Sequence, residues 1–338
     1  MSYWTGYIIV LLAGFFIGAG GLLVIRRWIS SPLLRKRVEN LGVALLAFFL
    51  TLMATEIFFK LFFAQTENRN FTLASRNWFE RHWALNSMGY RDIEWTQVNL
   101  KNKRRILISG DSFAAGHGIE SIEDRFSNLL GRKLGNDYVV MNIAQPGFST
   151  KEEIDRLRTF PYKPEILIHQ YYINDIRYAT EQRGLKFIPP NTDPWPILAP
   201  LVNNSYAINF IYWRTILLGP GNWQGDSMAW LEMVYNDPEV WWLHQQELLT
   251  IYEGALSEKV KLIVVIFPSL TNLERSRNIT SKVIDFYEER GVPVLDVAKL
   301  IEGAPPDQLV VNKLDAHPSQ WLHKQVANEL YKLVIQLD

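Results

Sequence analysis

The chain has 338 residues, with 35 Lys and Arg against 35 Asp and Glu, and it contains no cysteine. The balanced charge offers no basic surplus for nucleic acid phosphates, and the lack of thiols excludes disulfides, cysteine nucleophiles and thiolate metal sites. No glycine-rich phosphate loop and no His-Glu-x-x-His motif occurs, so the sequence predicts no cofactor, no metal and no nucleic acid partner.

Two apolar segments near the N-terminus predict a transmembrane helix hairpin over residues 1–64. Residues 7–25 carry no charge, and residues 41–63 are interrupted only by Glu56 and Lys60. Each segment is long enough to cross a hydrocarbon core of ~30 Å. A cleaved signal peptide would have basic residues before its apolar run, and the first 25 residues have none. Buried helices of a soluble protein are the less favoured alternative.

The charges between the two segments predict their orientation. The connecting stretch contains five basic residues: Arg26, Arg27, Arg35, Lys36 and Arg37. Basic loops stay in the cytoplasm, so both termini and the rest of the chain are expected on the periplasmic side of the cytoplasmic membrane. Glu56 follows about fifteen apolar residues, roughly 22 Å of helix, and therefore lies toward the outer interface. An anchoring role, with Lys60 one turn later, is favoured over a transport path.

Residues 65–103 form a polar and aromatic linker. Within it, residues 86–92 (Asn-Ser-Met-Gly-Tyr-Arg-Asp) contain a glycine, and an ordinary turn is one interpretation of them.

From residue 104 onward, apolar strand-like runs alternate with amphipathic helical patterns. The predicted strands cover residues 105–109, 138–143, 166–171, 262–267 and 292–297, and the predicted helices cover residues 124–134, 151–159, 242–256, 273–290 and 319–337. Continuous apolar strands alternating with helices predict an α/β fold, a doubly wound parallel sheet with three α/β/α layers. Residues 177–236 interrupt this alternation and are rich in Pro, Asn and aromatics, including Trp195, Trp213, Trp223 and Trp230. They are expected to form a lid or one wall of the substrate site or, alternatively, to pack a small core of their own.

Chemically useful residues follow the predicted strands. Ser112, Gly147 and Asn174 each come just past a strand end, where ligands bind in such sheets. Asp315 and His317 precede the last helix. A serine becomes a nucleophile when a histidine takes its proton, and a carboxylate fixes the tautomer of that histidine. These residue types therefore predict serine catalysis.

In this order, Gly110-Asp111-Ser112, Gly147, Asn174-Asp175 and Asp315-x-His317 resemble the motifs of the SGNH (GDSL-type) hydrolase family, in its membrane-anchored bacterial form. The resemblance covers residues 104–338. Residues 86–92 also resemble a segment that precedes the Gly-Asp-Ser motif in membrane-anchored members, which implies that they pack beside the rim of the active site. It implies Ser112 as nucleophile and His317 as base. It also implies an oxyanion hole formed by the Ser112 and Gly147 N–H groups and the Asn174 amide, with Asp111 and Asp175 supporting the site.

Two positions depart from the family pattern. Tyr172 occupies the position of a usual glycine before Asn174-Asp175. The family commonly places its acid three residues before the histidine, where this chain has Leu314. Some membrane-linked, polysaccharide-modifying relatives carry Asp-x-His, so Asp315 is the predicted acid. Asp296 and Asp307 are less favoured.

The expected protein is a membrane-anchored extracytoplasmic serine esterase or O-acyl (acetyl) transferase. Its expected substrate is an acyl ester of a cell-surface or exported glycan, with a lipid ester as the alternative. The bilayer is an expected partner, and a membrane protein partner is left open. The competing hypothesis is an inactive SGNH-like scaffold in a membrane assembly.

Overall fold

The computed structural model describes residues 3–68, 71–96, 100–189, 191–218 and 223–337. The chain divides into two compact units. The first contains Met1–Gln65, Arg69–Phe79 and Asn191–Gly221, and the second contains Thr66–Asn68, Glu80–Pro190 and Asn222–Asp338.

The helices and strands are numbered here in chain order. The helices are α1 (Tyr3–Trp28), α2 (Pro32–Phe62), α3 (Leu73–His82), α4 (Ser112–Ala115), α5 (Phe126–Leu134), α6 (Thr150–Thr159), α7 (Arg177–Gln182), α8 (Ala199–Asn204), α9 (Tyr206–Leu217), α10 (Trp223–Asn236), α11 (Pro238–Ser257), α12 (Leu273–Glu288), α13 (Val297–Leu300), α14 (Pro306–Leu309) and α15 (Gln320–Leu337). The strands are β1 (Arg104–Ser109), β2 (Tyr138–Asn142), β3 (Ile166–Tyr172), β4 (Lys261–Phe267), β5 (Val294–Asp296), β6 (Val310–Asn312) and β7 (Asp315–Pro318).

In the first unit, α1 and α2 are long and apolar enough to be candidate membrane spans. Their most apolar stretches have 0% and 6% of residues buried, which is unlike the buried core helices of a soluble protein. The two helices contact each other, and Phe15 stacks on Phe49 with ring centroids 4.1 Å apart.

The basic residues between the spans correct one expectation, because they lie on helix ends rather than in a loop. Only residues 29–31 separate α1 from α2. Pro32 starts α2 at a position where its fixed φ suits a helix. Arg and Lys are good helix formers, so both helices continue through the charged residues.

The second unit is built on a parallel sheet with the strand order β2-β1-β3-β4-β5. This order is that of flavodoxin-like doubly wound folds, whose crevice lies at the carboxyl ends of β1 and β3. Side chains alternate between the two faces of β1: Leu107 joins one buried cluster with α6, α11 and α12, while Ile106 and Ile108 join another with α5 and α15. The predicted three-layer α/β/α fold is confirmed.

All five predicted strands and all five predicted helices of this sheet are present, with ends shifted by at most four residues. The largest shift is at α11, which begins at Pro238 rather than at residue 242. Asp237 caps this helix by accepting hydrogen bonds from the Glu239 and Val240 N–H groups at 2.9 and 3.1 Å. Asp followed by Pro is a helix-start signal that outweighs the later hydrophobic periodicity.

The aromatic stretch 177–236 does not fold as one body. Its helices α8 and α9 belong to the first unit, whereas α7 and α10 belong to the second. Trp213 is buried and stacks on Phe71 in the first unit, while Trp195 is exposed. Trp230 packs at the edge of the second unit's core, and the side chain of Trp223 lies outside the described residues. The stretch therefore contributes helices to both units rather than forming one small core.

Candidate active site

Ser112 is the first residue of α4, and the turn formed by Gly110 and Asp111 separates it from Ser109, the last residue of β1. This turn requires glycine at position 110, because a Cβ there would lie 2.4 Å from Gln170 Oε1. The side-chain oxygen Oε1 of the buried Gln170 accepts hydrogen bonds from the backbone N–H groups of Asp111 (3.1 Å) and Ala114 (3.0 Å). Gln170 therefore holds the backbone on both sides of Ser112. It lies within the apolar run of β3, where sequence analysis did not identify it.

Asp111 forms the cap of α4. Its carboxylate accepts a hydrogen bond from the Phe113 N–H at 2.9 Å, which fixes the backbone on which Ser112 sits. Burial raises the pKa of the Asp111 carboxyl. The Phe113 N–H, the His317 ring and the side chains of Gln170 and Asn174 oppose that rise. Asp111 thus caps the helix that begins at Ser112, and the Asn174 side chain hydrogen-bonds to its carboxylate.

Ser112, His317 and Asp315 form a continuous hydrogen-bonded chain. His317 Nε2 lies 2.9 Å from Ser112 Oγ, and His317 Nδ1 lies 2.5 Å from Asp315 Oδ1. A serine hydroxyl donating to Nε2, with Nδ1–H donating to a carboxylate, is the arrangement that activates a serine. The two less favoured acids are placed differently. Asp296 caps α13 by accepting a hydrogen bond from the Ala298 N–H, and Asp307 is exposed.

The two-residue spacing between Asp315 and His317 follows from the strand on which they lie. Both residues belong to β7, which pairs with β6 in an antiparallel hairpin. Alternate residues of a strand point to the same face, so an acid and a histidine two residues apart can meet. From the sequence, Asp315 and His317 are predicted only to precede the last helix, and the hairpin is not predicted.

A second histidine supports this pair. The His117 ring stacks on the His317 ring at 4.0 Å with an interplanar angle of 7°, and its Nε2 is 3.6 Å from Asp315 Oδ2. Burial and the nearby His317 lower the pKa of His117 to about 3, so its ring is neutral near pH 7. A neutral stacked ring fixes the plane of His317 without adding charge.

Asp315 remains ionised despite its burial. Burial by itself would raise the pKa of Asp315, but His317, through its charge and hydrogen bond, and His117 outweigh that effect and bring the pKa to about 2. The carboxylate therefore carries its negative charge throughout the neutral range and can stabilise a protonated histidine.

The first residues of the expected linker brace β7. The Asn68 N–H donates to the Leu314 carbonyl at 3.0 Å, and the Ala316 N–H donates to Asn68 Oδ1 at 2.7 Å. The Asn312 amide donates to the Thr66 carbonyl at 3.2 Å. Residues 66–68 thus supply backbone partners for the short hairpin that carries the acid and the histidine.

The turn after β3 carries Asn174. The buried Asp175 carboxylate accepts from the Tyr172 N–H at 2.8 Å, and the Asp175 carbonyl accepts from the Thr150 N–H at 3.3 Å. These bonds fix the turn, and the Asn174 side chain is left exposed beside Asp111. Burial and the neighbouring carboxyls raise the pKa of Asp175 well above its usual range, consistent with a structural role.

Gly147 lies in the loop after β2. It is exposed and has a φ of +80°, a conformation that favours glycine. This loop is hydrogen-bonded to the turn that precedes Ser112, because the Gln145 N–H donates to the Gly110 carbonyl at 3.2 Å. The loops that carry Gly147, Asn174 and Ser112 are therefore joined at the carboxyl end of the sheet.

Tyr172, at the position of the usual glycine, forms part of an aromatic row. Its ring stacks on Phe113 at 4.1 Å, and Phe113 lies 5.3 Å from the His317 ring. The Tyr172 side chain thus packs against α4, the helix that begins at Ser112.

Residues 86–92 fix the chain that follows α4. The buried Arg91 guanidinium donates to the carbonyls of Gly116 at 2.6 Å and Ile119 at 2.5 Å. Arg125 donates to the Arg91 carbonyl at 2.5 Å and to Asp92 Oδ1 at 3.0 Å. The segment therefore holds the loop that carries His117.

No family model and no curated protein sequence matches this chain. Among solved structures it is similar to TesA (17% identity, 70% of this chain and 100% of that chain, TM-score 0.44). It is also similar to a lipase/acylhydrolase from Enterococcus faecalis (16% identity, 69% and 96%, TM-score 0.44). A third is a member of the lipolytic protein G-D-S-L family from Veillonella parvula (12% identity, 69% and 99%, TM-score 0.42).

Proposed function

We propose that the chain is an SGNH-type acyl ester enzyme in which Ser112, His317 and Asp315 form the catalytic triad. The observation that carries the proposal is the unbroken hydrogen-bonded chain from Ser112 Oγ through both ring nitrogens of His317 to Asp315. The position of Ser112 beyond the carboxyl end of a central strand supports it.

The residues divide the reaction as follows. Ser112 Oγ attacks the ester carbonyl while His317 Nε2 takes the hydroxyl proton, and ionised Asp315 stabilises the charged ring. N–H groups of Ser112 and Gly147 and the Asn174 amide face the oxyanion. His317 then protonates the departing alcohol, leaving an acyl ester on Ser112. Attack of water on this acyl ester completes hydrolysis, whereas attack of a sugar hydroxyl completes acyl transfer; either step releases Ser112.

The proposed substrate is an O-acyl (acetyl) ester of a cell-surface or exported glycan. This choice follows from the proposed location: α1 and α2 anchor the chain in the cytoplasmic membrane, with the triad on the periplasmic side. Many glycans on that side carry hydroxyl groups able to accept or release an acyl group. A lipid ester remains the alternative substrate.

A fluorophosphonate probe tests the function directly, because it reacts only with an activated serine. We expect the full-length chain to be labelled at Ser112, and a peptide map identifies the modified residue. A chain that takes no label while folded would instead be an inactive scaffold.

Replacing Asn174 by Ala should lower kcat by ~10²–10³ with little change in KM. An oxyanion donor acts mainly in the transition state, so its loss affects turnover rather than substrate binding. Steady-state kinetics on an aryl acetate measure both constants. Asn204→Ala, in α8, is the matched control and should leave both unchanged. A rise in KM with normal kcat would assign Asn174 to substrate binding instead.

The topology is expected to place both termini outside the cytoplasm, with residues 26–37 inside. A reporter that is active only after export, fused behind Asp338, should therefore be active. A reporter that requires the cytoplasm should be inactive at the same position. The opposite pattern would contradict both the location and the glycan substrate.

A further inference from the structure

We propose that residues 194–218, which include α8 and α9, form a membrane-interface element whose exposed apolar side chains contact lipid. This element contains none of the proposed catalytic residues. The proposal rests on the part of the proposed function that puts α1 and α2 in the membrane, and it adds a third contact with the bilayer from the middle of the chain.

The composition of this segment suits an interface. Between Pro194 and Leu218 the only formal charge is Arg214. The Arg214 guanidinium donates to Gln65 Oε1 at 2.6 Å and lies 4.7 Å from the centre of the Phe210 ring. The single charge is therefore engaged within the first unit, and the remaining surface of the segment is neutral.

Glu56 fixes α9 to α2. The Ser205 hydroxyl donates to Glu56 Oε1, and the N–H groups of Tyr206 and Ala207 donate to the same carboxylate at 2.8 and 3.3 Å. Glu56 is completely buried. A carboxylate at the N-terminus of a helix satisfies N–H groups that have no partner in the helix and is favoured by the helix dipole. This contact gives the acid of α2 an anchoring role.

Polar contacts gather at the same end of the hairpin. The Asn77 amide donates to the carbonyls of Lys60 and Phe63 at 3.1 and 2.9 Å, and the Tyr206 hydroxyl donates to Asn77 Oδ1 at 2.9 Å. The ring of Trp4, at the start of α1, meets the Tyr206 ring edge-on at 6.3 Å. These contacts therefore lie at the start of α1 and the end of α2, at one end of the hairpin. Polar and aromatic groups at such a position suit the headgroup region of a membrane.

The position and length of the helices exclude a further span. Glu56 lies six residues before the end of α2, so the start of α9 is roughly 9 Å from that end. With 12 residues, α9 is about 18 Å long, too short for a core of ~30 Å, and α8 has only six residues. A helix pair of this length fits the plane of the interface.

The exposed side chains point to lipid as the occupant. Trp195, Ile197 and Ile211 are 76%, 81% and 64% exposed, and Phe58 and Phe62 of α2, in the same unit, are also exposed. Aromatic and aliphatic side chains at this level are stabilised by the interfacial bilayer, whereas water would penalise them.

The absence of cysteine allows a site-specific test in the full-length chain. Three matched variants each carry one environment-sensitive label: Ile17→Cys in α1, Ile197→Cys in the segment and Ile335→Cys in α15. Each protein is reconstituted in liposomes of purified phospholipid. Quenchers are placed at shallow or deep acyl positions or, as iodide, in the water. We expect deep quenching at 17, shallow quenching at 197, and iodide quenching at 335.

Each other outcome has a definite meaning. An Ile197 label quenched by iodide, with the Ile17 label still in lipid, overturns the interface proposal and leaves the anchor intact. Iodide quenching at both positions means that the membrane anchor itself is wrong. Protection of position 197 in native membranes but not in pure lipid identifies a protein as the occupant and also overturns the lipid contact.

Discussion

Ser112→Ala and His317→Ala should each lower kcat on a short-chain aryl acetate by about 10⁶-fold, close to complete loss. The two side chains act as one unit through their 2.9 Å hydrogen bond, so losing either removes the activated nucleophile. For the same reason, the double variant should be little slower than either single variant, as in other triads. Steady-state and burst kinetics on the full-length protein in detergent measure these effects.

A surface serine provides the matched control. Ser281 is exposed on α12, so Ser281→Ala should retain wild-type turnover. Thermal unfolding should give similar midpoints for the wild type and all four variants, which separates lost chemistry from lost folding. If Ser112→Ala kept most of its activity, the proposed mechanism would be wrong.

The central sheet could be predicted from sequence because its strands are buried on both faces. Runs such as residues 262–267 are apolar throughout, and this pattern is typical of strands covered by helices on both sides. The polar residues that follow these strands then converge, since parallel strands end at one edge of the sheet. The fold and the convergence of Ser112, Gly147 and Asn174 both depend on this strong local signal.

The partners that hold the site could not be predicted in the same way. Gln170 and His117 act through contacts with residues far away in sequence, and nothing in their local pattern distinguishes them from core or loop residues. The strand β7 has four residues and is paired partly with residues 66–68, so no alternation could reveal it. Glu56 stands out as an acid in an apolar segment, but its partners could not be predicted, because they lie about 150 residues further along the chain.

Asp315→Asn should reduce kcat by up to ~10⁴ while leaving the protein folded. The carboxylate accepts a hydrogen bond from His317 Nδ1–H, with the two heavy atoms 2.5 Å apart, and so keeps Nε2 free to accept the serine proton. An amide can present its N–H₂ group to Nδ1, which favours the tautomer with the proton on Nε2 and blocks the base. Because the pKa of Asp315 is about 2, this loss should be present across the neutral range.

Two matched substitutions separate the triad acid from a general loss of negative charge. Asp307 is exposed and Asp296 caps α13, so Asp307→Asn and Asp296→Asn should each keep turnover within a few-fold of wild type. If Asp315→Asn also stayed within a few-fold while His317→Ala was inactive, the enzyme would work as a Ser–His dyad. The stacked His117 ring would then be the contact that orients His317, and His117→Ala should cause the larger loss.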